Sequence, residues 1–195
     1  MNWVIGAIVA LIVLIGTIFW GGYNTFQKRD EAVLGKEREM FSCYQKRLDL
    51  VTNLANTVQQ YAGHEKGIFE EVTKARATAS QTTVNINSEE AAKQFMSAQQ
   101  AISGSLSRLI ATAENYPNLK AAGNFLLLQR QLSNIETQCS LVRNQYIREV
   151  QAYNVNVKSF PTNLIAQWAG YSTKPQLQFD DEKGLKSSPR VFAPK

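Results

Sequence analysis

The chain is poor in the residues that build reactive sites. Its 195 residues include one histidine, His64, two cysteines, Cys43 and Cys139, and five prolines. One histidine without a cysteine cluster excludes the usual structural zinc sets. Glu65 is the immediate neighbour of His64, so the pair cannot form the H-E-x-x-H helix face of a zinc protease. Two cysteines 96 positions apart make neither a disulfide framework nor a C-x-x-C motif. Each lies on or beside an apolar helical face, where a free cysteine acts as a small hydrophobe; an oxidising compartment would allow them to pair. Neither G-x-x-x-x-G-K-[ST] nor G-x-G-x-x-G occurs, so no glycine-rich phosphate cradle is present. The formal net charge is +5 and dispersed, with no basic run interleaved with aromatics, which excludes a nucleic-acid face. The expected catalytic, cofactor and metal residues are therefore none, and the chain is not expected to be an enzyme.

Charge is also missing from one whole segment. No Asp, Glu, Lys or Arg occurs from Trp3 to Trp20. At ~1.5 Å per helical residue this run covers about 27 Å, and extension to Tyr23 gives about 31 Å, the thickness of a hydrocarbon core. Trp3 at one end and Trp20 with Tyr23 at the other suit the headgroup layers. A cleaved signal is a poorer reading: no basic residue precedes the run, the run is too long, and Trp20 occupies a place where cleavage wants a small side chain. Residues 1–22 are thus expected to be a transmembrane anchor. Lys28, Arg29, Lys36 and Arg38 follow it and no Lys or Arg precedes it. The excess of cations normally stays inside, which favours a single-pass protein of the cell (inner) membrane with its N-terminus outside and its helical domain in the cytoplasm.

What remains is rich in helix formers. Phe41, Tyr44, Leu48, Val51, Ala55, Val58 and Ala62 recur at intervals of three and four, the a/d seam of a helix packed on helices. Continued in frame, the seam meets Glu65, Phe69, Val72, Arg76 and Ala79, which predicts one long helix from Tyr23 to Ala79; a break near Gly63 is the alternative, because glycine is unfavourable inside a helix. The charged stretch from Tyr23 to Glu39 reads as an exposed stalk. Residues 80–88 read as a loop, with Ser88 or Asn87 capping a helix that opens on Glu89 and Glu90. That helix carries Ala92, Phe95, Gln99, Ile102, Leu106, Leu109, Ala113 and Tyr116, and Pro117 ends it. A last long helix is predicted from Asn118, with a seam of Phe125, Leu128, Leu132, Ile135, Cys139, Val142, Tyr146, Val150, Tyr153, Val157 and Phe160. Asn53, Asn124 and Asn154 are candidate buried register markers. Lys46, Arg47, Asp49, Arg143 and Glu149 suit flank positions that set helix pairing. A short helix at 163–171 is expected to cap the bundle, with lipid contact by Trp168 and Tyr171 as the alternative. Residues 171–195 read as an extended or disordered tail whose Leu177, Phe179, Val191 and Phe192 suit a neighbour's groove. The fold class is all-α: an N-terminal transmembrane helix, then an elongated antiparallel bundle of three to four long helices over 23–170.

The order and spacing of several short blocks resemble the LemA family of bacterial membrane proteins. These are Tyr23-Asn24 after the span, the run from Gln45 to Leu54, Tyr61-Ala62-Gly63-His64-Glu65, Val72-Thr73-Lys74-Ala75-Arg76, Ala113 to Ala121, Asn124-Phe125, Leu128-Gln129, Tyr153-Asn154 and Phe160 to Ala166. The chain departs from the family pattern at Thr52, where proline is usual, and at Ile147, where asparagine is usual. The resemblance implies a single-span protein with a helical bundle and carries over no catalytic residues. MamQ-like relatives imply a membrane-organising role. The function expected on these grounds is a membrane-anchored scaffold that self-associates, helped by Gly6 and Ala10 in the span; an adaptor subunit of a membrane protease or transporter is the alternative. The expected partners are the lipid bilayer, further copies of the chain and another membrane protein, and no nucleic acid.

Overall fold

The computed structural model describes residues 2–82 and 86–177. Among these there are six helices and no strand: α1 (Asn2–Tyr61), α2 (Lys66–Thr82), α3 (Glu89–Ala113), α4 (Pro117–Lys120), α5 (Gly123–Lys158) and α6 (Thr162–Ala169). α1 is one uninterrupted helix of 60 residues, about 90 Å long. Its apolar first third is exposed along its whole length, whereas the rest carries the bundle's main buried stripe. The same rod therefore holds a segment long and apolar enough to cross a membrane and the first helix of the domain.

The helix predicted from Tyr23 to Ala79 does not run through. α1 ends at Tyr61, residues 62–65 turn, and α2 returns along α1. Gly63 sits in that turn, and the amides of Ala62 and Glu65 close it on the carbonyls of Val58 and Ala62. The heptad phase survives the turn, with Val72 and Ala79 buried, so periodicity could not reveal it. The exposed stalk is also absent. Phe26, Val33 and Met40 are completely or almost completely buried, one per heptad, beneath α5. The bundle thus begins within a few residues of Trp20.

The remaining elements follow their sequence signals closely. Ser88 caps α3: its Oγ accepts from the Ala91 amide at 3.1 Å, and Glu89 and Glu90 occupy the first turn. Every α3 seam residue from Ala92 to Ala113 is buried, Gln99 included. α2 persists to Thr82, so the loop before α3 starts later than expected. Pro117 opens the short α4, whose Leu119 is buried, and the long helix starts at Gly123 rather than Asn118. α1, α2, α3 and α5 alternate in direction, with α1 against α5 and α2 against α3 as the principal pairs.

Cys43 and Cys139 are joined in a disulfide across α1 and α5, with their Cα atoms 5.5 Å apart. Of the three asparagines, only Asn154 is buried. Its amide donates to the Lys174 carbonyl and its carbonyl accepts from the Lys174 amide, both at 2.8 Å. Lys174 also pairs with Asp30 at 2.8 Å, and Leu177 is buried in the same chain rather than offered to a neighbour. Residues 171–177 therefore form a strap across α1 and α5. Phe179, Val191 and Phe192 lie outside the described residues.

Candidate functional site

The two helix pairs do not close into a complete bundle. No Cα of α3 lies within 8 Å of a Cα of α5, so a groove of about 640 Å³ runs between them with α1 as its floor. Lys93, Met96, Gln100, Ser103, Ser107 and Ile110 line the α3 side, and Glu136, Cys139, Ser140 and Arg143 line the α5 side. From Lys93 to Ile110 the wall extends about 26 Å, the length of several helical turns.

The floor is built around Arg47, whose side chain is only 7% exposed. Its Nη1 donates to Gln99 Oε1 at 3.3 Å, and its Nη2 donates to Ser103 Oγ at 2.8 Å and to Glu136 Oε1 at 3.0 Å. One guanidinium thus ties α1 to both walls. A charge removed from water needs such a set of acceptors, and a fork of donors suits Arg better than Lys. Two donors in this floor, Arg47 Nε and Gln99 Nε2, are buried with no acceptor among the described residues. Arg47 is expected to be structural. Arg47→Ala should destabilise the domain by about 2–3 kcal/mol, because it removes the donor to Gln99 Oε1 and Glu136 Oε1 and opens a void; Arg47→Met, which fills the void, should recover part of that loss. Chemical denaturation of the full-length protein in detergent checks both.

Sequence reasoning placed Arg47 on a helix flank. The burial comes from Gln99 on α3 and Glu136 on α5, partners more than fifty positions away; the polar Gln99 inside an apolar seam was the available signal. Lys46 and Asp49 are exposed, as flank positions should be. Glu149 pairs with Arg29 at 3.6 Å. His64 is exposed in the α1–α2 turn, away from the groove. Among the described residues no group of three or more His, Cys, Asp or Glu side chains could hold a metal ion.

A second, smaller hollow of about 240 Å³ lies beneath the strap, lined by Glu37, Tyr146, Tyr153 and residues 170–175. Burial, with Asp30 and Tyr171 nearby, pushes the Tyr153 phenol up to about 12. Burial, with Glu37 nearby, raises Tyr146 as well. Both rings are buried in the core.

The sequence has relatives among known proteins. The chain is 21% identical to magnetosome protein MamQ 2 of Paramagnetospirillum magneticum, over 95% of this chain and 74% of that protein. It is 20% identical to magnetosome protein MamQ of Magnetospirillum gryphiswaldense over the same shares. The model of the LemA family matches residues 37–192, from the middle of α1 through α6 and beyond. An all-helical domain carried on an apolar N-terminal helix, matched over most of its length by that model, makes this chain a member of the LemA family.

Proposed function

We propose that this protein is a single-span, membrane-anchored helical scaffold that self-associates at the bilayer and organises protein or membrane assemblies there. The observation that carries this reading is the unclosed groove between α3 and α5, long enough for a helix and lined by both apolar and polar side chains. Leu127, Leu141 and Val155 support it: all three are more than half exposed and follow one another at fourteen-residue intervals, so they form one line along α5. Gly6 has open space around it, and with Ala10 it offers a small-residue face on which two spans can approach. Similarity to magnetosome proteins supports the organising role.

Photo-crosslinkers at Ser107 in the groove and at Leu141 on α5 test this in native membranes with the full chain. A ladder of homomers is the expected result. One discrete heteromeric band would replace self-association by an adaptor role, and monomer alone would remove both.

The Cys43–Cys139 bond supports a helical domain on the oxidising side of the membrane, since such bonds are rare where thiols are kept reduced. This is opposite to the orientation that the cations after the span favour. Two of those cations are engaged with acids of the domain itself, Arg29 with Glu149 and Lys36 with Glu39. A cysteine introduced at Ser187 should react with an impermeant maleimide in intact cells; protection until the cells are opened would return the domain to the cytoplasm.

A further inference from the structure

The short helix α6 carries two faces of different fate. Ile165 and Ala166 are buried, and Ile165 fills the space left by the missing side chain of Gly22, where a Cβ would collide with it. An adjacent face is apolar yet exposed: Leu164 is 55% and Trp168 72% exposed, and Phe160, just before the helix, is 81% exposed. In a water-soluble bundle these three would be expected to find cover. Their height on the molecule offers another explanation.

α1 and α5 run antiparallel, fixed by the Cys43–Cys139 bond, the Arg29–Glu149 pair and the Phe26–Tyr153 ring contact. Seven residues past Tyr153 stands Phe160; seven residues before Phe26 stands Phe19, the last residue before Trp20 in the apolar span. Phe160 is therefore level with the end of the span. Trp168 confirms the height independently, because its ring meets the edge of Phe19 with centroids 5.0 Å apart. Tyr171 then turns away from the bilayer, 6.5 Å from the Tyr23 ring and stacked on Phe26 at 5.0 Å. Aromatic and leucine side chains at that depth suit the boundary between headgroups and acyl chains.

We propose that Phe160, Leu164 and Trp168 form a second membrane contact, a foot that lies in the interfacial layer of the leaflet from which α1 emerges. The occupant of this surface is lipid, and the argument is its continuity with the exposed apolar surface of α1 at Ile18 and Trp20. The foot fixes the bundle's tilt and rotation, because a single span alone leaves the domain free to turn about its axis. Lys158, exposed at the end of α5, stands beside it for the phosphate groups.

The test uses the full chain with Trp3→Phe and Trp20→Phe, which leaves Trp168 as the sole tryptophan; both replaced rings are exposed, so the fold does not depend on them. The protein is placed in phosphatidylcholine vesicles whose acyl chains carry bromine near the headgroup or near the terminal methyl. Trp168 should lose most of its emission to the shallow bromines, much less to the deep ones, and resist aqueous iodide. Quenching by iodide with no effect of either brominated lipid would place Trp168 in water and overturn the proposal. Protection from both lipid and iodide would mean that protein covers this face, which also overturns it.

Discussion

Serine at both Cys43 and Cys139 should lower the thermal midpoint of the helical domain by roughly 5–15 °C, equivalent to about 2–4 kcal/mol. The cysteines are 96 positions apart, so the bond closes a loop that holds most of the bundle. Without it the unfolded chain gains the freedom of that whole loop. The folded state also suffers, since both sulfurs are buried and two hydroxyls would take their place. Reductant added to the unmodified protein should reproduce the loss of the cross-link without the buried hydroxyls, and hence a somewhat smaller shift. Circular dichroism melts in detergent, with and without reductant, measure both. An identical midpoint in all samples would mean that the bond contributes nothing to stability.

The second large effect belongs to Phe26. Its ring is fully buried where α1, α5 and the strap meet, edge-on to Tyr153 with centroids 6.3 Å apart and stacked on Tyr171 at 5.0 Å. Phe26→Ala removes a whole ring from a site whose neighbours are tied down by Asn154 and Lys174, so little collapse can refill it. The expected cost is about 3–5 kcal/mol. The damage should be local first: residues 171–177 become accessible to protease before α2 and α3 do. Phe26→Leu should restore much of the loss. Limited proteolysis mapped by mass spectrometry, beside denaturant titration, checks this. A loss below about 1 kcal/mol would mean that the position is a surface site, as a stalk residue would be.

That contrast shows where the sequence was legible. α3 and, apart from its start at Gly123, α5 are legible because each carries a buried or half-buried side chain every three or four residues, and a dense seam leaves an unmistakable period. The stretch from Tyr23 to Glu39 buries only Phe26 and Val33 before Met40, one per heptad, among many charges. So sparse a stripe resembles a solvated stalk until the partner surface of Tyr146, Val150 and Tyr153 is known. The turn at 62–65 was hidden for the opposite reason: apolar residues on both sides keep one phase, and only Gly63 hinted at a break. Cysteine pairing and the Arg47 network join residues from distant segments, and no local spacing encodes such meetings. The contact of Trp168 with Phe19 likewise joins distant segments and has no local signal.

The common thread is that α1 passes from its apolar segment into the bundle without a break; on the proposed reading the domain therefore stands directly on the membrane. Electron microscopy of the full chain in lipid nanodiscs tests this most directly. The account predicts a slender bundle seated on the disc surface and rising about 60 Å, the length of α1 from Trp20 to Tyr61. A domain separated from the disc by a thin gap, or a rod of about 85 Å corresponding to one helix from Tyr23 to Ala79, would contradict it.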